Sequence, residues 1–326
     1  MAKMATASVC IVTYNSAADI EACLHAVLHQ TLQPERVVII DNASTDGTKA
    51  IVERYAADKG LEAIICFTAN TVNNGFAGGQ NQAIRQTASH YVLVLNPDVT
   101  LDPAYLAETV SYMERHPETG SVTGKLVLGS DHSIMDSAGL GMRRTRQAYD
   151  LASGEPAAEW SELREVFGVS GAAAVYRTAM IRGIQIDGQF FDEDYFAYKE
   201  DVDVAWRAQK LGWKSYYVPS ASALHHRGWK QGGRRSIPLF IRRHSYQNRW
   251  FTLIKNEPVS WQLLWLLPLL AFVEASKLVY IILREPGLLG SWPIIFGKLP
   301  VMLDKRKQVE RKAKENRLRQ TVYGNK

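Results

Sequence analysis

Four short, unbroken apolar runs organise the first hundred residues: Val9–Val12, Val37–Ile40, Ala63–Phe67 and Tyr91–Leu95. Between them, apolar positions recur at helical spacing, as at Ile20, Leu24, Val27 and Leu28, which predict a helix over about 17–29. An apolar run closed by turn residues marks a strand covered on both faces. Strands alternating with helices predict an α/β fold with a doubly wound, mostly parallel sheet. Right-handed crossovers then bring all four strand-end loops to one rim. Further on, the pattern predicts a helix over 103–115, a strand over 121–128, a polar, loop-rich stretch over 129–165 and a strand over 169–176. A helix over 201–211 and a strand over 215–219 follow. From Ile237 the texture changes to long apolar helices carrying Trp and Arg, which places a domain boundary near residue 230.

The loops on the predicted rim carry the candidate chemistry. The first strand runs into Thr13-Tyr14-Asn15-Ser16, without the glycines of a dinucleotide-binding turn, and no phosphate-binding P-loop motif occurs anywhere in the chain. Thr13 and Asn15 are suited to hydrogen-bonding a base or ribose, and Asp41, ending the second strand, to accepting from a pyrimidine N3–H or a ribose hydroxyl. Asn73 to Gly79 form a glycine-rich loop that opens a helix, where a diphosphate or sugar would find free N–H groups. Pro97 ends the fourth strand and delivers Asp98 at its carboxyl end, where open α/β sheets bind ligands and a carboxylate can hold a hard cation. Each of these residues also suits an ordinary turn.

Charge separates the chain into unlike parts. Residues 1–226 carry 18 Lys and Arg against 27 Asp and Glu, whereas residues 227–326 carry 20 against 6. A basic terminal region points to an anionic partner. Nucleic acid is not expected, because no stacking-aromatic or finger motif accompanies the charge. Cys10, Cys23 and Cys66 lie in apolar contexts at irregular spacing and read as core residues of a reducing compartment. No apolar signal segment precedes Val9, so a cytoplasmic chain is expected.

The blocks Val9-Cys10-Ile11-Val12-Thr13-Tyr14-Asn15 and Ile40-Asp41-Asn42-Ala43-Ser44-Thr45-Asp46-Gly47 resemble those of family 2 glycosyltransferases with the GT-A fold. The resemblance covers about residues 8–230. It implies that Asp41 reads the nucleotide base and that Asn96-Pro97-Asp98 stands where the family has its metal-binding D-x-D. With Asn96 in the first position, the metal (Mg2+ or Mn2+) depends on Asp98. Asn74-Gly75-Phe76-Ala77-Gly78-Gly79 with Asn81, together with Ser170-Gly171-Ala172 and Glu200-Asp201-Val202-Asp203, resemble the bacterial rhamnosyltransferase branch. That resemblance implies a nucleotide-sugar site of Thr13, Tyr14, Asn15, Asp41, Asn42, Asn74, Gly75, Phe76, Gly79, Asn81, Asn96 and Asp98. It implies Asp201 of the Glu200-Asp201 pair as general base, and His225 of a His-x-x-Gly with Gly228 beside the metal. The implied activity is inverting transfer of a sugar, L-rhamnose from dTDP-L-rhamnose, to a polyprenyl-diphosphate-linked saccharide. Alternatives are a UDP-hexose or UDP-N-acetylhexosamine donor, or a non-catalytic nucleotide-sugar-binding scaffold. On this view residues 1–100 form the nucleotide-sugar half and 101–230 the acceptor half of a catalytic domain.

Residues 190–203 pack six carboxylates among five aromatics. Asp192, Glu193 and Asp194 read as solvated surface, and Asp201 as lying in the first turn of a helix, where the dipole favours a carboxylate. Beyond 230, the run from Trp261 to Val273 is strongly apolar, but Glu274 and Lys277 interrupt it. A spanning helix needs about 20 mostly apolar residues. The run therefore predicts a helix lying in the interface at the inner face of the cell membrane. Lys305 to Arg319, with eight basic and two acidic residues, is expected to face an anionic leaflet. The alternative is a helical subdomain that packs on the catalytic domain or forms a homodimer.

Overall fold

The computed structural model describes residues 5–227, 237–258 and 260–323. The elements, in chain order, are β1 (Ala7–Thr13), α1 (Ile20–Leu28), β2 (Arg36–Asn42), α2 (Thr48–Asp58), β3 (Ile65–Asn70), α3 (Gly75–Ile84), β4 (Tyr91–Leu95), β5 (Val99–Leu101) and α4 (Tyr105–Arg115). Then come β6 (Thr119–Leu128), β7 (Asp131–Ser137), β8 (Leu140–Met142), β9 (Ala148–Asp150), β10 (Arg164–Val166), β11 (Ala173–Arg177), α5 (Thr178–Ile184), α6 (Glu200–Lys210) and β12 (Lys214–His225). Three helices follow: α7 (Leu239–Asn256), α8 (Trp261–Arg284) and α9 (Trp292–Tyr323).

The main sheet has the order β10-β12-β6-β11-β4-β1-β2-β3. Strands β3, β2, β1 and β4 are parallel, as the apolar runs predict. Period-two alternation splits each strand between two cores. Val9, Ile11, Val37, Ile39, Leu93 and Leu95 face α1, α2 and α4. Cys10, Val38, Ile40, Val92 and Val94 face the opposite layer, with residues of α3, α5 and α6. Both faces are covered, so the strands carry no polar alternation.

The second half departs from the expectation in three places. The stretch 129–165 is not all loop: it holds β7, paired on β6, the β8–β9 pair, which forms a small sheet of its own, and the start of β10 at the edge of the main sheet. Strand β12 continues past Pro219 to His225, with its register against β6 shifted between Val218 and Ser222. A bulge is where a strand tolerates a residue without an N–H. Strand β11 runs antiparallel to both neighbours and starts beside the end of β4, with Ala173 paired to Leu95.

Helices α7 and α9 pack on each other and, through Tyr195, on the part of the chain that holds the main sheet. Asp192 is buried, not solvated surface: Lys255 of α7 and Lys305 of α9 each reach it at 2.5 Å. Lys305 also reaches Asp194 at 2.7 Å, and Lys298 reaches it at 2.7 Å. Lys305 of the expected membrane-facing basic cluster is thus spent inside the protein. Helix α8 differs. Its outer face exposes Trp265 at 86%, Phe272 at 71% and Leu283 at 72%. It is long and apolar enough, by length and composition, to cross a membrane. Its interrupting charges turn inward, where Glu274 is held by Arg249 at 2.6 Å and Lys277 at 3.0 Å.

Candidate active site

A cleft of about 640 Å³ opens at the carboxyl ends of the parallel strands. Asn96, Asp98, Phe76, Gly171, Glu200, Asp201 and His225 all line it, together with residues of α7 and Lys277 of α8. Sheet register brings them together. Val99 of β5 pairs with His225 of β12, and the His226 N–H donates to the Asp98 carbonyl at 2.8 Å. His225 Nε2 therefore lies 3.3 Å from Asp98 Oδ1. On its other side, His225 Nδ1 is 2.8 Å from the buried Asp136, which Arg227 also reaches at 2.9 Å. Burial works to lower the His225 pKa, but the bonds to Asp136 and Asp98 outweigh it and the net shift is upward. Burial likewise works to raise Asp98, yet His225 pulls it below its ordinary value.

The second carboxylate of the cleft, Asp201, is reached through β11. The Asn96 N–H donates to the Ala172 carbonyl at 2.8 Å, which docks the 170–172 turn on the end of β4. Gly171 N–H in turn donates to Asp201 Oδ2 at 3.3 Å, and Val202 N–H to Oδ1 at 2.8 Å. Burial raises the Asp201 pKa, with Lys199 opposing and Asp150 adding to the shift. Glu200 is more enclosed: burial, then Asp201 beside it, push its pKa up to about 8. Burial and the nearness of the two carboxylates thus both work against a second negative charge on the pair.

The loop before this pair is strained. Phe196, Tyr198 and Lys199 all have positive φ, at 62°, 73° and 72°. Non-glycine residues in that region cost about 1–3 kcal/mol each and persist only where surroundings hold them. The holder is Asn248 of α7, whose buried amide lies within hydrogen-bond distance of the Tyr195, Ala197 and Tyr198 carbonyls, at 2.8, 2.9 and 2.8 Å. Below the loop, Asp203 of α6 is gripped by Arg207, Lys255 and Asn256 at 2.9, 2.9 and 2.7 Å. Helix α7 is thereby part of the site. Asn248, Lys255 and Asp136 escaped the sequence reading, because their partners lie about fifty or more residues away and nothing local marks them.

Several expected ligand contacts are internal instead. Asn81 is buried and fully engaged: it donates to the Phe191 carbonyl and Glu193, and accepts from the Phe190 and Phe191 N–H groups. Asn42 donates to the Gly75 carbonyl at 2.9 Å and so props the α3 loop. Gly75 has φ of 72°, and a Cβ there would collide with Phe196. At Gly79 a Cβ would collide with Val12 of β1. These glycines let α3 press on its own chain. The Ala77 N–H at its start already donates to the Phe196 carbonyl, and Gly75 N–H to Asn73, so these two groups of the helix start are engaged within the chain. Asn74 is exposed at the cap. Asp41 is buried and accepts from Thr13 at 2.7 Å and from the Ser44 N–H at 3.0 Å. Tyr14 is 56% exposed, and Asn15 accepts from the Thr45 N–H at 2.8 Å. Gly228 lies outside the described residues.

The sequence profile described as glycosyl transferase family 2 matches residues 8–180. The chain belongs to that family. It is also 32% identical, over 68% of its length and 76% of the relative's, to N-acetylglucosaminyl-diphospho-decaprenol L-rhamnosyltransferase of Mycobacterium tuberculosis. The fold is similar to GalNAc-T7 solved with UDP, GalNAc and Mn2+, with a TM-score of 0.60 and 13% identity, covering 77% of this chain and 48% of that one. It is similar too to the Pyrobaculum calidifontis mannosyltransferase in complex with GDP-Man and Mn2+, with a TM-score of 0.57 and 17% identity over 97% and 88% of the two chains. This family 2 glycosyltransferase thus has a GT-A core followed by helices.

Asp98 and His225 fit a divalent cation. Ligating imidazoles are oriented by a carboxylate on the other ring nitrogen, which is the place of Asp136 here. Magnesium-like ions take one or two protein carboxylates and complete their shell with phosphate oxygens and water. No group of three or more His, Cys, Asp or Glu suited to a metal occurs among the described residues, so Asp98 and His225 would be the protein's whole share of the shell.

Proposed function

We propose that this glycosyltransferase moves a sugar from a nucleotide donor, dTDP-L-rhamnose, to a hydroxyl of a polyprenyl-diphosphate-linked saccharide in cell-envelope polysaccharide synthesis, with inversion. The observation that carries this is the sharing of one cleft by Asp98, tied to His225, and Asp201, tied to Gly171. The rhamnosyl donor and lipid-linked acceptor are supported by the mycobacterial relative.

The nucleoside lies against the rim at Thr13, Asn15 and Asp41, whose side chains bond one another and the 44–45 loop, and Asp98 with His225 would hold Mg2+ or Mn2+. A bound divalent cation neutralises charge on the leaving diphosphate. Asp201, the ionised member of its pair, accepts the acceptor hydroxyl proton as that oxygen attacks the anomeric carbon. The raised pKa of Asp201 makes it a stronger base than an ordinary aspartate. Glu200, carrying its own proton, keeps a second negative charge away from the attacking oxygen. Residues 1–230 form the catalytic domain and 231–326 a helical region that docks on the inner face of the cell membrane through α8. Transfer from a panel of radiolabelled nucleotide sugars to a polyprenyl-diphosphate-linked N-acetylglucosamine, with and without chelator, tests this reading. We expect dTDP-L-rhamnose to be consumed only with acceptor and free divalent cation. Absence of transfer from every donor would overturn it.

A further inference from the structure

Resting on the lipid-linked acceptor just proposed, we infer that Arg242 and Arg249 of α7 and Lys277 of α8 form the seat of the acceptor's diphosphate. The lining acids of the cleft, Asp98, Asp150, Glu200 and Asp201, all precede residue 202 and share the lining with Arg146, Lys199 and Arg227, whereas Arg242, Arg249 and Lys277 line it from the C-terminal helices with no acid among them. Their carboxylate partners do not line the cleft. Glu274 takes both terminal nitrogens of Arg249, at 3.1 and 2.6 Å, and Lys277 at 3.0 Å, while Glu285 takes Arg242 at 2.9 Å. Three cations thus share two carboxylates, and Glu274 holds two of the cationic heads side by side. The Arg249 Nε is buried without a partner among the described residues, a donor that an anion would satisfy. A planar guanidinium beside an ammonium is a combination suited to phosphate oxygens.

Position gives the ligand its class. A saccharide joined through diphosphate to a polyprenol has three parts in fixed order: hydroxyl-bearing sugar, dianion, apolar chain. The cleft offers a counterpart to each part: Asp201 for the hydroxyl and the three cations for the dianion. Helix α8, which supplies Lys277 inward, presents Trp265, Phe272 and Leu283 outward. Ile237, Ile241 and Leu253 line the same wall and give the chain an apolar start. The donor's diphosphate has a separate place, at Asp98.

Arg249→Gln and Lys277→Gln, in the full chain in detergent micelles, test this with three acceptors: polyprenyl-diphosphate-linked N-acetylglucosamine, its monophosphate analogue, and an alkyl N-acetylglucosaminide without phosphate. The expected result is a KM for the diphosphate acceptor raised about ten-fold or more per variant, the scale of one lost charged hydrogen bond. The alkyl acceptor and the donor should each move by less than about three-fold, within the spread of a neutral surface change. Equal losses on phosphate-bearing and phosphate-free acceptors would overturn the assignment, as would a raised donor KM, which would give these cations to the donor. Lys277, at 32% side-chain exposure, keeps the test open should the Arg249 variant not fold. Farnesyl diphosphate should compete with the acceptor and lose potency in the variants, and farnesol should not. If the parent enzyme uses the alkyl acceptor as well as the diphosphate one, the acceptor class itself falls, independently of the variants.

Discussion

The two sides of the cleft are built differently. The proposed donor side is a rim of strand ends, where the β1–β2 ladder pairs Thr13 with Asp41 and the β5–β12 pairing sets Asp98 beside His225. The acceptor side is a strained loop and one helix start, set by side chains from elsewhere: Asn248 on the loop carbonyls, Lys255 and Asn256 on Asp203. A ladder positions its residues through many small contacts. A clamp does so through a few, so single substitutions should damage the acceptor side out of proportion.

The largest effect is expected at the base. Asp201→Asn should lower kcat by about 10²–10⁴, the range for a lost general base, with donor affinity by calorimetry retained. A variant that turns over normally would remove Asp201 from its role. Next is Lys255→Met, which takes away the cation that the buried Asp192 and Asp203 share and leaves Lys305 on one and Arg207 on the other. Breaking a buried pair costs about 3–5 kcal/mol, to be read from denaturant midpoints. An equally severe loss from the neutral rim substitution Thr13→Val would blur the contrast. Asn248→Leu should cost about 1–3 kcal/mol for carbonyls left unpaired and lower kcat more than it raises the donor KM. If only stability moves, the clamp holds the fold and not the base.

The smallest effect sharpens the division of labour within the acidic pair. Glu200 has its folded pKa raised from 4.5 to about 8, so the folded state holds a proton that the unfolded state gives up. Its contribution therefore erodes stability as pH rises from about 4.5 to about 8 and levels off above. Glu200→Gln should flatten that slope in thermal melts and cost less than about ten-fold in kcat, well below the general-base range. A loss matching Asp201→Asn would make Glu200 the base.

The same contrast explains what could be read in the chain. The rim was legible because each apolar run ends in its own polar loop, so Asp41 and Asp98 sit next to their signals. The clamp was not. Asn248 lies in an amphipathic helix like any surface amide, and its meaning rests on carbonyls some fifty residues earlier. Asp192 looked solvated because the lysines that neutralise it come from residues 255 and 305. The glycine-rich loop carries a second meaning that its sequence hides: a Cβ at Gly75 or Gly79 would meet Phe196 or Val12, so both glycines serve close approach within the chain. Asp136 went unseen because β7 is a short polar edge strand.

If Asp98 stays with the departing diphosphate while Asp201 deprotonates the attacking hydroxyl, a single displacement joins the two sides. The anomeric configuration of the product glycoside, read by one-bond carbon–hydrogen coupling in NMR, tests that directly. The expected product has the configuration opposite to that of the nucleotide-sugar donor. Retention of the donor's configuration would contradict the assignment of Asp201 as the base of a one-step transfer.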